Sequence, residues 1–422
     1  MVTKLRTLLG EDLRRHALAS PVTYRLAREL VVCRKTYTWK ATRMAAAFGL
    51  DLTAAAYRRK NPVAWTSAFF PTELLYAMGI VPFAPETASA AAASLGVAEA
   101  ALDLADRAGV ARDTCSFHRV TAGCALGGYF PPPDFLLATT HLCDGAPQLF
   151  RYLADYYGRS FFVVDVPVSW TPATQTYVAA QLEELIRFLR KHTGKDLDPE
   201  RLRKAFAASN RAREALRQVN AARQAAPAPL GTGPNLDFLY LLFVGFGHPQ
   251  TATVFATLAG ELRERRPSAA DEHPERVRLL WLHLKPYFPN PLLERLAAFP
   301  GVAVAFEEMN HVYWPALDPA RPFWSLAAKV LSHFGVGPVT RRVATLRYLA
   351  KTYRARGIVH FNHWGCRQGN GGALVMRDTL RDSGLPVLIL EGDCVDRSNF
   401  AEGPACTRLE GFIEMFLANG MG

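Results

Sequence analysis

Two periods of apolar spacing share this chain. Short runs with little polar interruption recur at Ile80 to Phe83, Asp134 to Thr139, Phe161 to Pro167, Val277 to His283, Val302 to Phe306, Ile358 to Asn362 and Leu385 to Glu391. Runs this short and this apolar predict strands buried on both faces, as in parallel sheets. Helical spacing fills much of the rest. Pro71 opens a predicted helix with Glu73 just inside and Gly79 as its stop. Ala98 to Ala108 and Pro147 to Tyr157 read as helices, and Thr174 to about Ala225 sets Val178, Leu182, Leu185, Ile186 and Leu189 on one face. Pro289-Asn290-Pro291 and Ala373 to Met376 open two more, and a last helix is expected after Pro404, through Phe412, Met415 and Leu417.

Strand, loop, helix and strand in alternation predict an α/β fold with parallel sheets in two comparable halves, although no clear sequence repeat is visible. The expected organisation is a helical N-terminal segment (1–60), a first α/β domain (61–170), a helical linker region (171–234) and a second α/β domain (235–422). Asn61-Pro62 marks the first boundary, and the Ala/Pro/Gly-rich stretch from Ala225 to Pro234 the last. The first segment has Leu5, Leu8, Leu9 and Leu13, then Ala45 to Phe48, at helical spacing, which suits an appendage packed on the rest.

Composition narrows the setting. Of 422 residues, 50% are hydrophobic, the mark of a packed chain with more than one core. Met1 to Gly10 lacks an apolar signal-peptide core, and no run of eighteen apolar residues occurs, so a soluble cytoplasmic protein with no membrane partner is expected. Thiols stay reduced there, and grouped cysteines read as metal or redox ligands rather than disulfides. The net charge is +11, and residues 1–60 hold 13 Lys/Arg against Glu11, Asp12, Glu29 and Asp51. A solvated helical face accounts for this excess, as does a patch for a nucleotide, coenzyme A or an acidic protein. No nucleic-acid-binding motif accompanies it, and no nucleic acid partner is expected.

Six of the seven cysteines form two groups of three, Cys115, Cys124, Cys143 and Cys366, Cys394, Cys406, with Cys33 apart. The run ending in His360-Phe361-Asn362 feeds the turn His363-Trp364-Gly365-Cys366-Arg367-Gln368-Gly369. That puts a thiol at a strand's carboxyl end, where open α/β sheets bind ligands. Cys143 stands in the same setting after Thr139. Thiolates are soft ligands suited to zinc and to iron–sulfur clusters. No CxxC pair is present, so zinc-ribbon and ferredoxin spacings are missing, yet a cluster whose ligands arrive on separate loops is compatible with the pattern. A buried cysteine is also simply a small hydrophobe, the reading that suits Cys33. His118, His141, His360 and His363 neighbour the cysteines as proton donors, ligands or structural groups. Glu73 is a general base if buried, or a first-turn carboxylate favoured by the helix dipole. Arg119 and Arg367 suit an anion or the charge of a cluster.

Several motifs appear in order: Pro71-Thr72-Glu73-Leu74-Leu75-Tyr76-Ala77-Met78-Gly79, Cys115 with Arg119, Pro133-Asp134 through Cys143-Asp144, Trp364-Gly365-Cys366-Arg367-Gln368, Leu385 to Leu388 with Glu391 and Asp393, and Thr407 to Phe412. Over roughly residues 60 to 420 the chain resembles the 2-hydroxyacyl-CoA dehydratase D-component family, which includes benzoyl-CoA reductase subunits. The resemblance implies two Rossmann-like domains with an iron–sulfur cluster between them, its cysteines mapping onto Cys115, Cys143 and Cys366. It also implies an ATP-dependent activator iron–sulfur protein as electron donor, a homodimer or a heterodimer with a related subunit, and a CoA-thioester or small-molecule substrate. Glu73 falls in the family's helix motif, and it and His363 are the candidate catalytic residues. Cys124, Cys394 and Cys406 add the thiols that a double-cubane [8Fe-9S] branch of the family uses in place of a single [4Fe-4S] cluster. An iron–sulfur reductase, a dehydratase subunit and a non-catalytic or zinc-binding relative are the readings carried forward.

Overall fold

Each half of the chain builds a parallel sheet from its apolar runs. The computed structural model describes residues 16, 18–33, 39–230, 236–264 and 275–418. Among these, β1 (Val63–Thr66), β2 (Val81–Phe83), β3 (Phe135–Thr139) and β4 (Ser160–Val164) lie in the order β2-β1-β3-β4. Strands β5 (Val277–Leu282), β6 (Val302–Glu307), β7 (Gly357–His363) and β8 (Val387–Gly392) repeat that order as β6-β5-β7-β8. Every pairing is parallel, in registers such as Ala64 with Phe135 and Leu280 with Ile358. The α/β expectation with two comparable halves therefore holds.

Alternate residues of each strand meet different neighbours, as the pleat requires. Trp65 and Leu136 of the first sheet, with Val277, Leu279, Trp281, Val359 and Phe361 of the second, enter one shared core. On the opposite face, Ala64, Phe135 and Leu137 meet Val178, Leu182, Leu185 and Leu189 of helix Pro172–Thr193. Leu280, Leu282 and Ile358 likewise meet Val343, Leu346 and Leu349 of helix Val339–Tyr353. Both sheets are thus covered on both sides, which explains their near-continuous apolar runs.

Four local differences from the sequence reading have physical causes. Strand β1 is only four residues long, too short to display a period, yet it is central and fully buried. Helix Ser116–Leu126 is buried over Ser116 to Ala125 and so shows no amphipathic stripe. The long helix expected over 174–225 is two, Pro172–Thr193 and Pro199–Ala222. Gly194 (φ 68°) ends the first, and Asp198, whose carboxylate accepts from the Glu200 amide at 2.8 Å, caps the second ahead of Pro199. The last helix begins at Glu402, before Pro404, because a proline in the first turn forfeits no hydrogen bond.

Leu5, Leu8, Leu9 and Leu13, and part of the expected boundary at 231–235, lie outside the described residues. Of the N-terminal segment, helix Lys40–Arg58 buries Ala41, Ala45 and Phe48 in the shared core, and the Lys40 and Ala41 amides donate to Glu261 at 2.6 and 2.9 Å. No helix among the described residues is long and apolar enough to cross a membrane.

Candidate metal centre

In each sheet the strand order turns back between the first and third strands in sequence, and loops leaving the carboxyl ends there frame a crevice. Cys143 follows β3 within such a loop, and Cys366 follows β7. Cys115 arrives differently, as the residue leading into helix Ser116–Leu126. All three thiols border one cavity of about 670 Å³, whose wall also includes His118, His283, His333, Arg342, His363 and Gln368. Strained backbone concentrates at the same place. Phe69 (φ 58°), Leu142 (φ 73°) and His283 (φ 69°) follow β1, β3 and β5, line the cavity and hold the left-handed conformation that side chains disfavour.

Burial sets the electrostatics. It pushes the Cys115 thiol well up, and the neighbouring charges of Cys366 and Cys143 add to this, while the amides of His118 and Phe117 oppose it. Burial lifts Cys366 to about 11, against a 3.3 Å hydrogen bond from the Gly369 amide and the positive charge of Arg342. Arg342 is buried and clamped by both oxygens of Glu308, each at 2.6 Å. Burial disfavours the His118 cation, but Cys143 (4.0 Å) and Glu86 (3.3 Å) outweigh it and raise the imidazole to about 10. His363 is lowered by burial, partly offset by Asp393, and its Nε2 lies 3.4 Å from Cys115 Sγ.

This donor set fits a polynuclear iron–sulfur group. Buried thiols that repel one another as anions gain most from a multivalent cation that displaces their protons. Among the described residues no three His, Cys, Asp or Glu side chains are grouped to hold a single metal ion. Cysteines of a cluster bind different irons, so their thiols need not converge on one point but must lie around one compact core, and Cys115 is near enough to Cys366 and Cys143 to feel the charge of both.

The remaining candidates have distinct surroundings. Cys394, just past β8, is buried, and burial, Asp393, Cys115 and Cys366 all push its thiol up, so it lies beside the centre. Cys124 borders the same cavity, but among Tyr24, Tyr57 and Tyr157, and burial raises it to about 12. Cys406 lies on helix Glu402–Ala418, next to Arg295, Glu402 and Glu410. Cys33 is exposed. Glu73 is fully buried outside the cavity wall, paired with Lys329 at 2.6 Å and accepting from Ser209 at 2.9 Å, with its second oxygen unpartnered. Arg119 is spent on Asp106 (2.7 Å) and Asp396 (3.2 Å), whereas Arg367 is exposed and meets Asp144. His141 and His360 are buried, and desolvation drops both to about 3. Arg342, Glu308 and Glu86 carry no signal in the sequence beyond ordinary helix and strand-end positions.

Comparison with known proteins gives this geometry a family. The family model for the 2-hydroxyglutaryl-CoA dehydratase D-component matches residues 67–416. The chain is 22% identical to the (R)-phenyllactyl-CoA dehydratase alpha subunit of Clostridium sporogenes over 86% of its own length and 91% of that protein. Against the lactoyl-CoA dehydratase subunit alpha of Anaerotignum propionicum the identity is 23%, covering 86% and 93%. Against a benzoyl-CoA reductase subunit of Thauera aromatica it is 23%, covering 74% and 78%. The resemblance read from the motifs is confirmed, and the chain belongs to the 2-hydroxyglutaryl-CoA dehydratase D-component family of dehydratase and reductase enzymes.

Proposed function

We propose that this chain is the iron–sulfur subunit of an enzyme acting on a coenzyme A thioester, with one [4Fe-4S] cluster bound by Cys115, Cys143 and Cys366. The observation that carries this reading is that three thiols on three separate loops, drawn from both halves, border one cavity, with Cys115 close enough to Cys366 and Cys143 to feel the charge of both. The separate surroundings of Cys124 and Cys406 favour a single cluster over the double cubane. A zinc site is disfavoured because the described thiols are not grouped around one ion.

When bound, the cluster would supply a low-potential electron, delivered by an ATP-dependent activator. The protein's part is to exclude water and hold position. Apolar walls from Phe69, Phe83, Phe117, Leu142 and Phe243 surround the thiols, and Arg342 contributes positive charge beside Cys366. Removal of water from a 2-hydroxyacyl thioester is redox-neutral overall, so the electron is returned. A related partner subunit is proposed, since the relatives named above are themselves subunits.

Calorimetry on anaerobically purified protein tests this. Phenyllactyl-CoA or lactoyl-CoA should bind and perturb the visible iron–sulfur absorption, while the free hydroxy acids should not. Absence of both the absorption and thioester binding would contradict the proposal.

A further inference from the structure

Each of the three thiols has at least one N–H group close to its sulfur, and Cys115 also meets the main-chain amides of His118 and Phe117. The Gly369 amide donates to Cys366 Sγ at 3.3 Å, His118 Nε2 lies 4.0 Å from Cys143 Sγ, and His363 Nε2 lies 3.4 Å from Cys115 Sγ. The two histidines are held differently. His118 Nε2 is shared between Cys143 and Glu86, the carboxylate being nearer at 3.3 Å. His363 faces no such competition, because its other nitrogen is engaged from behind.

The Cys394 amide donates to His363 Nδ1 at 3.2 Å. A ring nitrogen that accepts a hydrogen bond carries no proton, so the neutral imidazole bears its hydrogen on Nε2, towards Cys115. Asp393 is the other group within reach of Nδ1, but its Oδ1 stands 3.7 Å away and already accepts from Ser116 Oγ (2.5 Å), Val395 N (2.9 Å) and Asp396 N (2.9 Å). The ring itself is locked. It is 1% exposed, edge-on to Phe117 at 5.3 Å and parallel to His283 at 6.3 Å.

We propose that His363 is a positioning residue for the metal centre: its Nε2–H donates to the Cys115 sulfur, in a tautomer fixed by the Cys394 main chain, and this bond stabilises the more electron-rich state of a cluster bound there. The inference rests on the proposal that Cys115 is a cluster ligand. Hydrogen bonds to ligand sulfurs are one of the levers by which a protein sets a cluster's reduction potential, and partners of this kind orient the ligand as well. A donated hydrogen bond favours added negative charge, so its loss makes reduction harder. His363 would therefore tune the centre without touching substrate.

The test is an EPR-monitored redox titration of the anaerobically purified full chain, in the wild type, His363→Leu and His363→Gln, with iron counted in each. The expected result is a midpoint potential shifted to more negative values in His363→Leu at unchanged iron content. His363→Gln, which keeps an N–H donor, should recover part of the shift. An unshifted potential in His363→Leu would overturn the inference while leaving the cluster reading intact. Loss of iron from both variants would also overturn it, making His363 a ligand or a packing residue. A wild-type protein without any cluster would sink the functional reading and the inference together.

Discussion

Gly365 lies directly against Cys115: a β-carbon on Gly365 would stand 2.6 Å from the Cys115 Cα. The two residues come from opposite halves of the chain, so this contact fixes how closely two ligand loops approach. Gly365→Ala should push the loops apart at a cost of about 1–3 kcal/mol, typical of overpacking in a dense interior. Iron content should fall sharply in this variant while the circular dichroism of the fold is retained. Full iron occupancy in Gly365→Ala would show that the close approach is incidental.

The Glu73–Lys329 pair ties helix Glu73–Ala77 to helix Pro322–Leu331 across 256 positions of sequence. Lys329→Met leaves a buried carboxylate without its counter-ion and should cost about 3–5 kcal/mol, whereas Glu73→Gln combined with Lys329→Met should recover most of that loss. Denaturant midpoints of the single and double variants check this. A double variant as unstable as the single would mean that Glu73 matters for something other than the pair.

Acid should weaken the Asp106–Arg119 pair within the first half. The Arg119 hydrogen bond holds the Asp106 carboxyl below its ordinary value, and the same guanidinium reaches Asp396 in the second half. An unfolded aspartate titrates near about 3.9, so the stabilisation is complete above that pH and fades as pH falls through the lowered folded value. Asp106→Asn should therefore be less stable than the wild type near neutrality and lose less stability on acidification below pH of about 4. Thermal melts across that range measure it, and parallel curves for the two proteins would refute it.

Much of the scaffold was legible in the sequence because parallel strands announce themselves as unbroken apolar runs. Cys143 and Cys366 could be placed at strand ends for that reason, and both border the cavity. Strand β1 and helix Ser116–Leu126 escaped because burial on all sides removes the period that would reveal them. The identical order of the two sheets was equally invisible, since topology depends on the spacing of runs and not on the residues that fill them. Charge clamps such as Arg342 with Glu308 join positions 34 apart, and Ser116 meets Asp393 across 277, distances at which no local rule speaks. Grouping six cysteines by sequence proximity says nothing of their surroundings: in the fold Cys124 borders the same cavity but stands among tyrosines, and Cys406 stands beside Arg295.

The most direct test of the account is iron and acid-labile sulfide per chain on anaerobically purified protein, with each of six cysteines changed to alanine in turn. About four irons are expected, lost in Cys115→Ala, Cys143→Ala and Cys366→Ala and kept in Cys124→Ala, Cys394→Ala and Cys406→Ala. About eight irons that fall in the Cys124 and Cys406 variants would contradict the single cluster in favour of a double cubane, and iron indifferent to Cys115, Cys143 and Cys366 would contradict the centre itself.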